Sequence, residues 1–446
     1  MIWNEEMETM PRADLEKLQG ERLQNVVARV YANVPFYKQK FDEVGIKPDD
    51  VTGIADLASL PFTKKADLRD NYPFGLFAVP REEVIRIHAS SGTTGKPTVV
   101  GYTRDDLGVW AEVCARSLAL SGAVPGDIFQ NAYGYGLFTG GLGMHYGAEL
   151  MGLTVVPVSG GNTARQILLM QDFGSHIFSC TPSYALTIAD ALLDSGVDPR
   201  KLNLKSFVLG AEPWNEAMRQ EIEAKLGVHA VNIYGLSEVI GPGVSNECVE
   251  GKDGLHVFED HFIVEVLNPE SGDAMPDGET GELVFTTLTK QAFPVIRYRT
   301  GDLASVVREP CVCGRTHARM SGVVGRVDDM LIIRGVNVFP SQIAEALVGI
   351  ENITPHHQIL VTRENRLDVL EVQVEVTDAF FRYVGESQFS THPETSVDTM
   401  RYLEGIIHHR LRDILGLNSL VSLLPPNSAP RSQGGKLRRV VDKRNL

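Results

Sequence analysis

The stretch Ala89-Ser90-Ser91-Gly92-Thr93-Thr94-Gly95-Lys96-Pro97-Thr98-Val99-Val100 is the one on which the reading of the chain turns. It follows Val84-Ile85-Arg86-Ile87, which reads as a strand, and Thr98-Val99-Val100 returns to strand. Between them lie hydroxyls and glycines. Glycine lets the backbone turn tightly and approach an anion, while hydroxyls and free N–H groups donate to phosphate oxygens. Lys96 adds a point charge. A Walker loop is excluded, because that motif is G-x-x-x-x-G-K-[ST] opening a helix. Here the glycines stand closer together and Pro97 follows the lysine. Alone, such a cluster would be an ordinary tight turn; its order points to a phosphate-binding loop.

The rest of the chain supplies the context. At 446 residues it is too long for one simple core, so two or more domains are expected. A formal net charge of -15 argues against nucleic acid or an anionic membrane as partner. Residues 1–33 carry acidic side chains from the start and no apolar signal core, so the cytoplasm is the expected location. The segment Asn131 to Ala148 lacks charged side chains but is rich in glycine, which predicts a pocket wall rather than a membrane span. Five cysteines, an odd number, argue against a disulfide scaffold.

From Leu153 to Ile233, short apolar runs alternate with helical periodicity. They are Leu153 to Val158, Ile177 to Ser179, Ser206 to Leu209 and Ala230 to Ile233. Such alternation predicts βαβ units and a covered, largely parallel sheet. Past Tyr234 the texture changes. Phe262 to Leu267 and Glu282 to Thr287 alternate like strands, which predicts an antiparallel subdomain. The last third reads as a separate small α+β domain, with a helix over Met400 to Leu415.

Five further motifs sit where chemistry would need them. Gly210-Ala211-Glu212-Pro213 lies where a strand ends and a helix begins, and ligands on open α/β sheets bind outside such carboxyl ends. In Tyr234-Gly235-Leu236-Ser237-Glu238 an aromatic face suits a purine and a carboxylate suits Mg²⁺ shared with phosphates. Asp302, in Tyr298-Arg299-Thr300-Gly301-Asp302, is a carboxylate able to accept both hydroxyls of a ribose. Gly325-Arg326-Val327-Asp328-Asp329 marks a domain boundary and a hinge. Near the end, Ser432-Gln433-Gly434-Gly435-Lys436 forms a glycine tip that presents one ammonium. Singly, these would be turns, caps or a basic tail.

Together, in this order and spacing, they resemble the adenylate-forming superfamily over nearly the whole chain. More narrowly, SSGTTGKPTVVGYT, GAEPW, YGLSEV, EDHF, ELVFTTLTK, IRYRTGDL and GRVDDMLIIRGVNVFPSQI look like phenylacetate–coenzyme A ligases. The resemblance implies a large amino-terminal α/β domain with covered mixed and parallel sheets plus an antiparallel subdomain, residues 1–327. A small mobile α+β domain, residues 328–446, would follow. It implies a two-step reaction: an aryl carboxylate attacks the α-phosphate of ATP to give acyl-AMP and pyrophosphate, then the thiol of coenzyme A displaces AMP. By the same resemblance Ser91, Gly92, Thr93, Thr94, Gly95 and Lys96 would hold the leaving phosphates. Gly210, Ala211, Glu212 and Pro213 would line the adenine, and Tyr234, with Gly235 and Ser237 in its motif, would stack on it. Glu238 would bind Mg²⁺, Asp302 would hold the ribose with Arg326 nearby, and Asp328 would be the pivot. Lys436 would bridge carboxylate and α-phosphate. Tyr133, Phe138 and Ile233 would contact the aryl group, and the protein would be a homodimer. The alternatives are an enzyme that loads a carrier protein, or a ligase for benzoate or indoleacetate.

The cysteines add an expectation of their own. Cys311 and Cys313 flank Val312 at a turn, and Cys248 and His256 flank another in the same antiparallel region. Three thiols and one imidazole make a closed tetrahedral Zn²⁺ site. His317 is the rival fourth ligand.

Overall fold

A computed structural model describes residues 1–90, 97–327, 331–334, 336–364, 367–385, 398–430 and 439–444. Two compact units result: Met1–Ala211 with Ile222–Gly322, and Glu212–Glu221 with Val323–Leu446.

The larger unit is built on a nine-stranded sheet. In spatial order, Thr154–Val156, Ile128–Asn131, Ile177–Cys180, Ser206–Leu209 and His229–Leu236 run parallel. Phe129, Phe178 and Phe207 from three adjacent parallel strands are fully buried, with Phe178 edge-on to Phe207 at 4.9 Å. Continuous burial along Ile177–Cys180 and Ser206–Leu209 is what a sheet covered on both faces demands. The sheet then turns antiparallel through Gly241–Glu247, Leu255–Val257, Arg319–Met320 and Val306–Val307. A second sheet pairs Phe262–Leu267, Gly281–Thr287 and Tyr298–Ala304 antiparallel.

The glycine-rich segment after Asn131 is only partly the irregular wall expected from sequence. Its second half is a helix, Gly140–Met151, packed on the helix Arg104–Leu120. The glycines make that contact possible. A Cβ on Gly143 would lie 2.5 Å from Trp110 Nε1, and one on Gly147 would lie 2.4 Å from Cys114 Cβ. The partner helix begins at a capping box in which Thr103 accepts from the Asp106 N–H and Asp106 accepts from the Thr103 N–H.

The smaller unit has its own core. Leu367–Val376 and Ile353–Glu364 form an antiparallel pair, flanked by the parallel neighbours Leu420–Leu424 and Val440–Asp442. The helix Asp398–Leu415 buries Met400, Leu403, Ile407, Leu411 and Leu415, a stripe at helical spacing. Ile353–Glu364 escapes sequence reading because Pro355 and two histidines interrupt its alternation. The register shifts between Ile353 and His357 to absorb them.

Candidate active site

The carboxyl ends of the parallel strands gather several of the residues singled out from sequence. Tyr133 follows Ile128–Asn131, Gly210 and Ala211 follow Ser206–Leu209, and Ile233 and Tyr234 lie in His229–Leu236. Tyr133 is buried, and its hydroxyl donates to the Cys180 carbonyl at 2.7 Å on the neighbouring strand. The backbone at Gly210 runs against the next strand, where a Cβ would meet the Ile233 carbonyl at 2.4 Å. Ala211 sits at φ 67°, a left-handed conformation that costs an L-residue energy and marks a turn held by its surroundings. Ile233 is buried beside Gly210, whereas Phe138 is 39 % exposed.

Tyr234 and Asp302, 68 residues apart, meet directly. The tyrosine hydroxyl donates to Asp302 Oδ2 at 2.7 Å. Its ring lies near-parallel to Phe285, centroids 6.0 Å apart. The sequence reading ends the strand at Ile233, before Tyr234; instead Tyr234 lies inside His229–Leu236, and Asp302 lies inside Tyr298–Ala304. Tyr234 borders a register shift in His229–Leu236 that brings Gly235 against the opposing chain. A Cβ on Gly235 would fall 2.0 Å from the Gly241 carbonyl, so only glycine fits. Asp302 follows Gly301, at φ 77°, beside a bulge in the pairing with Gly281–Thr287. Bulges re-aim side chains. This one is braced by Glu282, which accepts from the Gly301 N–H at 3.0 Å and from the Arg299 Nε–H at 2.8 Å. Arg297 likewise pairs with Glu265 at 2.8 Å. The two arginines of IRYRTGDL therefore hold the strand that carries Asp302.

Glu238 occupies the turn after Tyr234. Ser237 beside it shares a hydroxyl–hydroxyl bond with Thr139 at 3.0 Å. Glu238 is 9 % exposed, and among the described residues its carboxylate accepts no hydrogen bond. A nearly buried, uncommitted carboxylate fits a hard cation such as Mg²⁺. Tyr102 anchors the same turn by donating to the Ile240 carbonyl at 2.9 Å. Tyr102 also ends the second stem of the hairpin Arg86–Ser90 and Thr98–Tyr102, whose register runs to Ser90 opposite Thr98. The hairpin tip, Ser91, Gly92, Thr93, Thr94, Gly95 and Lys96, lies outside the described residues, as do Asp328 and Lys436. Glu212, Pro213 and Arg326 fall in the smaller unit.

Sequence reading missed Lys290. It is 2 % exposed, its Nζ makes no hydrogen bond, and it stands 3.9 Å from the centroid of Tyr102. Burial pushes its ammonium down to about 8, against the pull of Asp106 and Glu238. The lysine ends the motif ELVFTTLTK, but nothing in its spacing announces a buried charge. EDHF serves the fold instead: Asp260 forms a buried bidentate pair with Arg116 at 2.7 and 3.0 Å.

The ligand atoms of Cys248, His256, Cys311 and Cys313 all lie within 4.8 Å of one another. Cys248 Sγ is 3.7 Å from Cys311 Sγ, and Cys313 Sγ is 3.5 Å from His256 Nε2. A tetrahedral zinc with the usual bond lengths has S···S edges of about 3.8 Å and S···N edges of about 3.6 Å. A disulfide would need about 2.05 Å. The donor set and its spacing fit zinc. Gly251 makes room, since a Cβ there would meet Cys311 Sγ at 3.2 Å and Cys248 Sγ at 3.3 Å. Hydrogen bonding to Cys248 holds the Cys313 thiol well below its ordinary range, with His256 adding to the effect. His317, the rival ligand, is buried outside this cluster with neither ring nitrogen hydrogen-bonded. One detail departs from expectation: His256 lies in the antiparallel half of the nine-stranded sheet and Cys248 directly follows its strand Gly241–Glu247, so neither belongs to the sheet of Phe262–Leu267.

Comparison with known proteins gives concordant findings. Residues 16–289 match the family described as AMP-binding enzyme, and residues 335–444 match the AMP-binding enzyme C-terminal domain. The chain is 57 % identical over 444 residues to a phenylacetate-coenzyme A ligase of Thermus thermophilus, covering 100 % of both chains. It is 48 % identical over 450 residues to one of Escherichia coli, covering 100 % of this chain and 99 % of the relative. Among solved structures, a 2-hydroxyisobutyryl-CoA ligase in complex with R3-HIB-AMP superposes with a TM-score of 0.88 at 30 % identity. That match covers 98 % of this chain and 91 % of the other. Among the described residues no helix is long and apolar enough to cross a membrane.

Proposed function

Because the chain belongs to the AMP-binding enzymes and, within them, to the phenylacetate-coenzyme A ligases, we propose that it joins phenylacetate to coenzyme A. ATP is cleaved to AMP and pyrophosphate, and the acyl-adenylate is the intermediate. The observation that carries this reading is the meeting of Tyr234 with Asp302 one turn from the uncommitted carboxylate of Glu238. An aromatic face, a ribose-sized acceptor and a cation ligand stand together at the carboxyl ends of a parallel sheet, where nucleotides bind.

A carboxylate is a weak nucleophile towards an anionic phosphate, so the protein must neutralise charge and align the reactants. The Tyr234 ring covers the adenine while Gly210, Ala211, Glu212 and Pro213 line its edge. Asp302, oriented by the Tyr234 hydroxyl, accepts from the ribose, with Arg326 nearby. Ser91 to Lys96 hold the leaving phosphates, and Glu238 holds Mg²⁺, which neutralises triphosphate charge when bound. Lys436 bridges the carboxylate and the α-phosphate. Tyr133, Phe138 and Ile233 face the aryl ring. The Tyr133 hydroxyl is committed to Cys180, so it offers the substrate its ring. Residues 1–327 bind ATP and the aryl acid, residues 328–446 carry Lys436, and Asp328 is the pivot between the two half-reactions. Zn²⁺ on Cys248, His256, Cys311 and Cys313 is structural. The protein works in the cytoplasm as a homodimer, and a monomer by light scattering at micromolar concentration would refute the assembly.

A panel of phenylacetate, hydroxyphenylacetate, benzoate and indoleacetate, assayed for AMP formation dependent on ATP and coenzyme A, tests the substrate. The highest kcat/KM is expected for phenylacetate. Preference for benzoate or indoleacetate would overturn that choice. Pyrophosphate release without consumption of coenzyme A would point to carrier loading instead.

A further inference from the structure

Asn131 ends the strand Ile128–Asn131 and is fully buried. A buried amide is costly unless its hydrogen-bonding capacity is used. Here all of it is. Nδ2 donates to the Tyr135 hydroxyl at 2.9 Å and to the Gly141 carbonyl at 2.8 Å. Oδ1 accepts from the Tyr133 N–H at 3.1 Å and from the Ser179 hydroxyl at 2.9 Å. These partners fix which way the amide points, because a backbone N–H can only donate and a carbonyl can only accept. The Tyr135 hydroxyl accepts from Asn131, so its own proton goes to His145 Nδ1 at 3.2 Å.

The four partners come from three places in the fold. Ser179 lies in the neighbouring strand Ile177–Cys180, Tyr133 and Tyr135 in the connection 132–139, and Gly141 in the helix Gly140–Met151. One side chain therefore ties that connection to the sheet and closes it on itself. Two backbone bonds reinforce the closure: the Ala132 N–H donates to the Ser179 carbonyl at 3.0 Å, and the Gly141 N–H to the Gly134 carbonyl at 3.2 Å. Phe138 stands midway between the two points that Nδ2 ties, Tyr135 and Gly141. Its ring lies against Gly140, where a Cβ would fall 2.4 Å from it. Yet Phe138 stays 39 % exposed. The loop is thus fixed by its polar ties and not by burial of its aromatic tip. An apolar residue of the same size at 131 would take a partner from the Tyr133 N–H, the Gly141 carbonyl and the Ser179 hydroxyl together.

We propose that Asn131 is a positioning residue for the aryl acid: its amide fixes the loop 132–139 so that the rings of Tyr133 and Phe138 are set for a flat substrate before it binds. This rests on the proposed aryl role of those two rings. A loop ordered in advance lowers the entropic cost of binding and keeps the reacting groups aligned, so Asn131 contributes to the choice among aryl acids as well as to affinity.

The test compares Asn131→Ala, Ser179→Ala, the double variant and Phe138→Ala in the full-length chain, with pyrophosphate release followed at varied phenylacetate and at varied MgATP. A misplacement of about 1 Å costs on the order of 100-fold. Asn131→Ala should raise KM for phenylacetate by about 10- to 100-fold and leave KM for MgATP unchanged. Its preference for phenylacetate over indoleacetate should narrow. Ser179 is fully buried on the neighbouring strand, and losing its one bond to the amide should raise the same KM by about 2- to 10-fold. In the double variant Ser179→Ala should add nothing, because the serine acts through the amide. The melting temperature of Asn131→Ala will fall, since buried groups lose a partner; a merely structural role would show that fall with both KM values parental, and that result would overturn the inference. So would an equal rise in both KM values, or effects that multiply in the double variant. In each of these cases a raised KM for phenylacetate in Phe138→Ala leaves the aryl role of the loop standing. Parental KM in Phe138→Ala would remove that role, and the inference with it. Should Asn131→Ala not fold, Ser179→Ala decides alone: its KM for phenylacetate must rise while that for MgATP does not.

Discussion

Tyr234→Phe isolates one atom of the proposed nucleotide site. The substitution keeps the ring and its contact with Phe285, centroids 6.0 Å apart, and deletes only the hydroxyl that donates to Asp302 at 2.7 Å. A hydrogen bond to an ionised carboxylate contributes about 1.5–3 kcal/mol. At roughly 1.4 kcal/mol per factor of ten, the loss corresponds to about 10- to 100-fold. It should appear in ATP recognition, because Asp302 is the group that the hydroxyl holds in place. Pyrophosphate release at varied ATP should show kcat/KM for ATP lowered by that factor, with KM for the aryl acid unchanged. Calorimetric titration with ATP should show a parallel loss of affinity. Tyr234→Ala, which removes the ring as well, should cost more. Unchanged ATP affinity in Tyr234→Phe would refute the reasoning. So would an equal loss in kcat/KM for the aryl acid with ATP binding intact, since the hydroxyl would then be serving the pocket rather than Asp302 in its proposed ribose role.

Other consequences are as direct. Protein purified without added zinc should contain about one equivalent of the metal and lose it in Cys311→Ser; substoichiometric metal indifferent to that substitution would reject the site. Lys436→Ala should slow adenylate formation by about 10²–10³ while sparing thioester formation from supplied phenylacetyl-AMP, and equal slowing of both halves would refute its assignment to the first. Gly143→Ala should destabilise the fold by about 1–2 kcal/mol despite alanine's better helix propensity, because the new methyl meets Trp110. Trp110 cannot yield, since it is stacked on Tyr102 and hydrogen-bonded to the Pro242 carbonyl at 3.0 Å. Chemical denaturation checks this, and an unchanged midpoint would count against the close-approach account.

What the sequence determined by itself was whatever depends on local order. Alternating apolar runs and helical stripes placed four of the five parallel strands, three of them within a residue or two, because their periodicities follow directly from backbone geometry; Ile128–Asn131 was not called. The motif GAEPW fell at a strand end, and four metal-ligating residues at two turns were enough to expect a zinc cluster. Tertiary structure decided what depends on distant partners. The choice of His256 over His317 rests on which imidazole the pairing of Gly241–Glu247 with Leu255–Val257 brings to the thiols. The glycines after Asn131 read as pocket lining until Trp110 and Cys114 were set against them. Tyr234 was read as following a strand rather than lying in one, because a register shift has no one-dimensional signature. Lys290 was invisible for the most basic reason. In sequence it is a lysine after a strand, like any solvated one, and only the tertiary packing that lays it on Tyr102 turns that charge into a buried one.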